Sequence, residues 1–315
     1  MKLTKKIIYD EIYRVAKQKT DIESASIIAQ KIVDAEFMNA STHGIHYFNR
    51  VIFPFLKEND FSVEITGNIL QSENHSVEGI VHTTKLVGHV SNRAKKTGVA
   101  IGFTKNPGKI GALRVYAPSV ISKGQTLMIF KNTAKIMGTE LNPEPIFGTN
   151  PFCFALAKTD FVFDSSTTIV ATNKLRIFKK THRKFKFPIG VDDYNDLTND
   201  PTDVLQGNHS MLPFSTGNLW YKSFFISMFI EGIAAMAGGF TSGRVGDHTG
   251  NRFYSKEGLS IIVVDTNHLL HKTHYEREVE KLIKDVKKKG YRIPGVNNHD
   301  YVDVLDIDWQ ELKSL

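Results

Sequence analysis

Apolar residues near the start of the chain recur at helical intervals. Ile7, Ile8, Ile12, Tyr13 and Ala16 fall on one face between Lys5 and Lys17, which predicts an amphipathic helix. Thr20-Asp21-Ile22-Glu23 has the form of a capping box, with Thr20 as cap of a second helix through Ser26, Ile27, Ile32 and Val33. A polar stretch from Asn39 to Gly44 precedes a third apolar segment, Ile45 to Leu56, interrupted by Pro54. The period then changes. Gly98-Val99-Ala100-Ile101-Gly102-Phe103 and Thr126-Leu127-Met128-Ile129-Phe130 are short apolar runs with the pattern of buried strands. Phe152 to Ala157, Val162-Phe163 and Leu259 to Val264 predict further strands, and Ile110 to Ser122 a helix marred by Pro118. An apolar helix from Trp220 is stopped by Gly238-Gly239. His274 to Lys289 is amphipathic, with lysines in its last turn before Gly290, where the helix dipole favours cations. Strands alternating with helices predict a layered α/β domain.

Composition narrows the class. A chain of 315 residues makes two ordinary domains or one large one. Its single cysteine excludes an intrachain disulfide and a multi-cysteine metal site, and suits a reducing, cytoplasmic compartment. No metal site is predicted. Lys2, Lys5 and Lys6 imitate the start of a signal peptide, but Asp10 and Glu11 break the apolar stretch behind them. The stretch Leu219 to Phe240 is apolar enough to raise a membrane span, yet Lys222 and Glu231 lie inside it, so a buried helix of a soluble protein is the expectation. For the same reason Trp220-Tyr221 and Phe224-Phe225 are expected in the core. A net charge of +7 points to an anionic partner without choosing among nucleic acid, phosphate and carboxylate. The basic run Lys179 to Lys186, with Phe185 interleaved, is a candidate nucleic-acid patch, but a solvated loop is the favoured reading and no nucleic-acid partner is expected.

Motifs exclude more than they assign. No GxGxxG occurs; Gly108-Lys109-Ile110-Gly111 is the nearest glycine pair, so a Rossmann or P-loop site has no support. HExxH and GxSxG are absent too. His43 lies between Thr42 and Gly44 at a helix boundary, where imidazole serves either proton transfer near neutral pH or the packing of a turn. Gly148-Thr149-Asn150-Pro151 is a turn before an apolar strand. Asp164-Ser165-Ser166-Thr167-Thr168 closes the next strand, and its hydroxyls suit a phosphate or ribose, or cap the following element.

Taken in order, Thr42-His43-Gly44-Ile45, Gly111 with Tyr116, Asn132, Gly148-Thr149-Asn150-Pro151, Asp164 with its hydroxyls, Asp192, Asp200-Pro201, Leu212-Pro213, Lys222, Glu231 and Pro294-Gly295 resemble the malate/L-lactate dehydrogenase family of the non-Rossmann type. That family also includes ureidoglycolate, sulfolactate and diketogulonate enzymes and a cyclic-imine reductase. The resemblance runs from about Asp34 to Gly295. It implies a non-Rossmann layered α/β fold, a homodimer, and hydride transfer between NAD or NADP and a 2-oxo or 2-hydroxy acid or related imine. It implies a helical segment, 1–75, packing with 210–315, and a central cofactor-binding region, 76–209. His43 matches the family's proton-transfer histidine and Asp192 an acidic residue near the site. Thr133, Asp164, Ser166, Thr167, Thr168 and Lys222 fall on cofactor-binding positions.

Several positions depart from the family's pattern. The arginine four residues after the histidine is Tyr47 here, with Arg50 a turn away as the alternative grip on a substrate carboxylate. A second histidine is replaced by Lys109, which either anchors an anion, transfers a proton or has lost its role; the anchor is favoured, because the arginine is missing and a lysine of ordinary pKa is a poor proton shuttle. Glycines around the family's lysine are Ser223 and Phe225, Phe225 filling space that a glycine leaves open, and an acidic residue after Pro-Gly is Val296. The expectation is therefore an oxidoreductase acting on the CH–OH group through an altered site. A homologue of the same fold that binds without turnover is the first alternative, and a nucleic-acid-binding protein using 179–186 the second.

Overall fold

A computed structural model describes residues 1–58, 60–206, 210–242, 245, 256–295 and 301–315. Strand β1 (Lys2–Leu3) leads into α1 (Lys5–Ala16), whose first turn is capped by Thr4 accepting the Ile7 amide at 3.3 Å. Helix α2 (Ile22–Phe37) is capped one residue later than predicted: Asp21, not Thr20, accepts the Ser24 amide at 2.9 Å. An aspartate at this end also meets the positive pole of the helix. The third apolar segment is broken into α3 (Ile45–Tyr47), a π-turn (Phe48–Ile52) and a 3-10 turn (Phe53–Phe55). Pro54 has no amide to extend the earlier ladder and is tolerated in the first positions of a new turn.

A meander of β2 (Glu64–Thr66) and β3 (Ile69–Glu73) follows, then the long helix α4 (Ile80–Thr97), none of them predicted. The predicted strands are present as β4 (Val99–Lys105), β5 (Gln125–Lys131), β6 (Phe152–Ala155) and β7 (Val162–Ser165). Pro118 starts the short helix α5 (Pro118–Ile121) instead of interrupting a longer one. Helices α6 (Thr172–Lys180) and α7 (Pro201–Gln206) enclose the hairpin β8 (Gly190–Val191) and β9 (Leu197–Thr198). The chain continues through α8 (Tyr221–Ala235), β10 (Gly258–Asp265), α9 (Lys272–Lys288), β11 (Val302–Asp303) and α10 (Asp306–Ser314).

Among the described residues seven strands form one mixed sheet in the order β2-β3-β4-β10-β5-β6-β7, parallel only between β3 and β4. The alternation of β10 sorts its two faces. Leu259, Ile261 and Val263 enter the core under α4, where Gly102 leaves room for Val90 and Leu86. On the other face Ile262 packs with Ile230 and Ile233 of α8, and the Ser260 hydroxyl bonds the Ile233 carbonyl at 2.8 Å. This α/β architecture agrees with the predicted class.

The division into 1–75 with 210–315 and 76–209 is redrawn. β10 lies in the middle of the sheet, and α8 covers it. The part of 210–315 that packs on the N-terminal helices is its end: Val304, Trp309 and Leu312 share a core with α1, α2 and α3. A further core, of Leu175, Phe185, Ile189, Val204 and Met211, unites α6, α7 and the hairpin.

Two surface expectations change as well. α8 buries only the stripe Ser223, Ser227, Ile230, Glu231 and Ala234, and exposes Phe225, Met228 and Phe229 by more than half. Phe225 therefore fills no interior space. No helix of the described residues is long and apolar enough to cross a membrane. The basic run begins inside α6 and wraps an aromatic pair, the buried Phe185 stacked on the half-buried Phe178 at 4.2 Å. Lys184 pairs with Asp200 at 3.0 Å, and the Arg183 guanidinium lies over the Phe178 ring.

Candidate active site

His43 ends a 3-10 turn, Ser41–His43, between α2 and α3. This turn is held from below by a buried carboxylate: Glu36 accepts the Ile45 amide at 2.7 Å. Gly44 lies so close to it that a Cβ there would stand 1.9 Å from Glu36 Oε1. From α6, the Asn173 amide donates to the Thr42 carbonyl at 3.2 Å. His43 Nδ1 is 3.1 Å from Thr42 Oγ1, and its ring is 5.1 Å from that of Tyr47. Burial, aided by the nearby Arg114 cation, pulls the imidazole down to about 4, so it is neutral at pH 7.

The facing wall is the segment after β4. Gly108, at φ 73°, passes so close to the Val77 carbonyl that a Cβ would stand 2.7 Å from it. Lys109 is fixed through its backbone: its amide donates to Val77 O at 2.7 Å, and its carbonyl accepts the Gly79 amide at 3.2 Å. Its half-buried ammonium lies near that of Lys131, which is buried against Glu257. Burial draws Lys131 down, Glu257 holds it up, and the Lys109 cation lowers it further. The Gly111 amide lies against the Tyr47 hydroxyl, whose pKa burial pushes up, so Tyr47 is a neutral donor or acceptor. Beneath it the Tyr116 hydroxyl donates to the Ile110 carbonyl at 2.6 Å.

Arg114 and Asp164 lock this wall to the sheet. The Arg114 amide and Nε donate to Asp164 Oδ2 at 3.0 and 3.2 Å, its Nη2 to the Asp164 carbonyl, and its Nη1 to the Met38 carbonyl. Burial raises Asp164, and Arg114 opposes the rise. One carboxylate oxygen of Asp164 is thus committed to a structural clamp.

The predicted cofactor segments do meet. Thr133 Oγ1 accepts the Thr149 amide at 2.9 Å, and the Thr149 carbonyl accepts the Thr167 amide at 2.9 Å. Thr167 and Thr168 are buried, with their hydroxyls turned to Ser227 Oγ at 3.0 Å and Val170 O at 2.8 Å. They shape the floor. Thr133, Thr149, Ser165 and Ser166 are the half-buried hydroxyls of the group.

Other predicted residues lie outside this group. Asp192 is a turn-former, not a neighbour of His43: its Oδ1 accepts the Tyr194 and Asp196 amides of its own hairpin at 2.9 and 3.0 Å. Arg50 faces α10, with Nε 2.9 Å from Glu311. Lys222 is exposed on α8. Val296 lies outside the described residues. His46 bonds Asp308 at 2.9 Å. Sequence reasoning misses Arg114, Lys131 and Glu257; the one signal is a lysine extending the apolar run 126–130. Among the described residues no group of three His, Cys, Asp or Glu side chains could hold a metal ion.

Comparison with known proteins defines the class. Residues 14–298 match the model of the malate/L-lactate dehydrogenase family, and the chain belongs to that family. A malate/(S)-sulfolactate dehydrogenase of Methanothermus fervidus is 27% identical over 289 residues, 87% of this chain and 82% of that one. Among solved structures, the sulfolactate dehydrogenase of Methanocaldococcus jannaschii superposes with a TM-score of 0.82 at 22% identity, covering 100% of this chain and 96% of that one. The delta1-piperideine-2-carboxylate reductase of Pseudomonas syringae pvar. tomato gives 0.83 at 19% identity, covering 100% and 99%. The fold is shared with both.

Proposed function

We propose that the chain is an NAD- or NADP-dependent oxidoreductase acting on the CH–OH group of a 2-hydroxy acid and, in reverse, on a 2-oxo acid or related imine. The observation that carries this reading is a neutral His43 packed against Tyr47, whose hydroxyl meets the Gly111 amide two residues past Lys109. The donor set suits a nicotinamide dinucleotide: half-buried hydroxyls at Thr133, Ser165 and Ser166 match ribose and phosphate oxygens. When bound, the nicotinamide supplies the hydride acceptor or donor. His43, with Nδ1 engaged by Thr42, offers Nε2 to the substrate hydroxyl and takes its proton during oxidation. In the reducing direction the same atom returns a proton to the oxygen. Lys109 binds the substrate carboxylate in place of the absent arginine, and Tyr47 orients the substrate oxygen. The homodimer implied by the resemblance would cover the apolar face of α8. The buried Cys153 leaves a cytoplasmic setting unopposed.

Steady-state kinetics with a panel of 2-hydroxy and 2-oxo acids test this. His43→Ala is expected to lower kcat by roughly 10²–10⁴-fold. Lys109→Arg keeps partial activity if Lys109 only anchors an anion, and loses it if Lys109 transfers a proton. Full activity in Lys109→Ala would remove it from the site. In oxidation the imidazole must be unprotonated, so kcat/KM is expected to fall as pH drops through about 4, the His43 value of the unliganded enzyme. Nicotinamide fluorescence that reports binding without turnover of any acid would favour the binding homologue instead.

A further inference from the structure

Glu231 is a buried carboxylate on the inner stripe of α8, and no lysine, arginine or histidine among the described residues pairs with it. Among the described residues its partners are neutral donors. Oε1 accepts the Asn150 side-chain amide at 2.7 Å and meets the Ser242 hydroxyl. Oε2 accepts the Asn132 side-chain amide at 3.0 Å and the Ser242 backbone amide at 2.9 Å. A carboxylate suits this place because all these contacts are donors and it has only acceptors to offer.

Two of these partners also meet Thr133, while Asn132 Oδ1 accepts the Gly258 amide at 2.8 Å and the Asn150 amide also donates to Ser227 Oγ at 2.8 Å. Asn150 Oδ1 accepts the Thr133 amide at 3.2 Å. The Ser242 hydroxyl also lies 2.5 Å from the Thr133 carbonyl and accepts the Gly148 amide at 3.0 Å. Gly148 approaches so closely that a Cβ would stand 2.3 Å from the Thr133 carbonyl oxygen. The Thr133 amide is thus held by Asn150, and its carbonyl shares the single Ser242 hydroxyl proton with Glu231 Oε1, so both backbone polar groups of Thr133 meet side chains that Glu231 touches. Only its hydroxyl, 3.2 Å from that of Thr149, faces the half-buried side.

We infer that Glu231 is a positioning residue for the dinucleotide: through Asn132, Asn150 and Ser242 it sets the Thr133–Thr149 hydroxyl pair, and so governs cofactor affinity without touching the cofactor. This rests on the proposed cofactor role of Thr133. The carboxylate is an adapter between the rigid helix and two loops that come from distant parts of the chain.

Glu231→Gln keeps the shape but turns an NH₂ group toward one pair of donors. The expected result is a Kd for NADH or NADPH, read by fluorescence titration of the full chain, raised by about tenfold or more. kcat at saturating cofactor and KM for the acid should stay within about threefold of wild type. Ser260→Ala, which removes another anchor of α8 outside this network, should lower Tm without moving Kd. The effects of Glu231→Gln and Thr133→Val should be less than additive, because both act through one hydroxyl pair. If Glu231→Gln does not fold, Ser242→Ala breaks the same linkage and is expected to raise Kd alike. A wild-type Kd retained in the folded variant, or strict additivity with Thr133→Val, would overturn the inference while leaving the oxidoreductase reading intact. Failure of the wild-type chain to bind either nucleotide would overturn that reading, and this inference with it.

Discussion

Glu36 shows how one buried group sets a pH window. Its carboxyl is pushed up to about 7, first by burial and then by Asp308, while the Ile45 amide and His46 oppose the rise. The unfolded chain releases this proton near the ordinary glutamate value of 4.5. Between those values the folded chain holds the extra proton, so its stability falls as pH rises from 4.5 to 7. The loss is on the order of 3 kcal/mol for a shift of this size. His43 and His82 have the opposite sign. Both are drawn down to about 4 by burial, so the folded chain excludes protons and loses stability as pH falls from 6.5 toward 4. Glu36→Gln keeps an acceptor for the Ile45 amide and removes the titration. Its urea midpoint is expected to decline less between pH 5 and pH 8 than that of wild type. Equal declines in the two proteins would place the titrating group elsewhere.

The turn that carries His43 depends on a residue with no side chain. Gly44→Ala would drive a methyl group into Glu36, and the turn must shift to admit it. A cost of roughly 1–3 kcal/mol is expected, together with lost activity, because His43 precedes the displaced residue. Calorimetry and the acid kinetics read the two effects; wild-type Tm with wild-type kcat would show that the turn yields freely. Elements with one strong period are legible in the sequence: α1, β4, β5 and β10 lie within a residue or two of their predicted bounds, and α2 starts within a residue of the expected position but runs on past Val33 to Phe37. α4 is not, because its buried face includes His82, Thr83 and Ser91, which hide the apolar rhythm. β2 and β3 are short and largely exposed, and α6 is too rich in lysine to look like anything but a loop. α8 looks like core because apolarity around a whole helix does not reveal whether the chain itself supplies the cover. The site divides the same way. Tyr47 meets both His43 and the Gly111 amide of the segment that carries Lys109, whereas Arg50 and Asp192 have the residue types the chemistry wants but local partners, Glu311 and a hairpin turn, that no pattern announces.

α8 leaves Phe225, Ile226, Met228 and Phe229 exposed, a clustering of large apolar side chains of the kind that marks an interface. Under the proposed homodimer, light scattering of the full chain gives twice the mass of one chain. Met228→Glu, which touches the face but not the core, shifts the particle toward the monomer; an unchanged mass would place the contact elsewhere. The sheet imposes a different constraint, one of time. β10 is bonded along its length to β4 and β5, yet more than a hundred residues of chain separate it from either. The Gly258 amide on β10 is also what Asn132 Oδ1 grips, beside the hydroxyls proposed to meet the cofactor, at 2.8 Å. During synthesis β4 and β5 therefore emerge with facing edges unpaired, and neither can be satisfied until the strand from the far end of the chain arrives between them. The floor of the site is completed late. Until then, the newborn chain carries two adhesive sheet edges and no site, so its folding yield will depend on how well those edges are shielded while the rest is made.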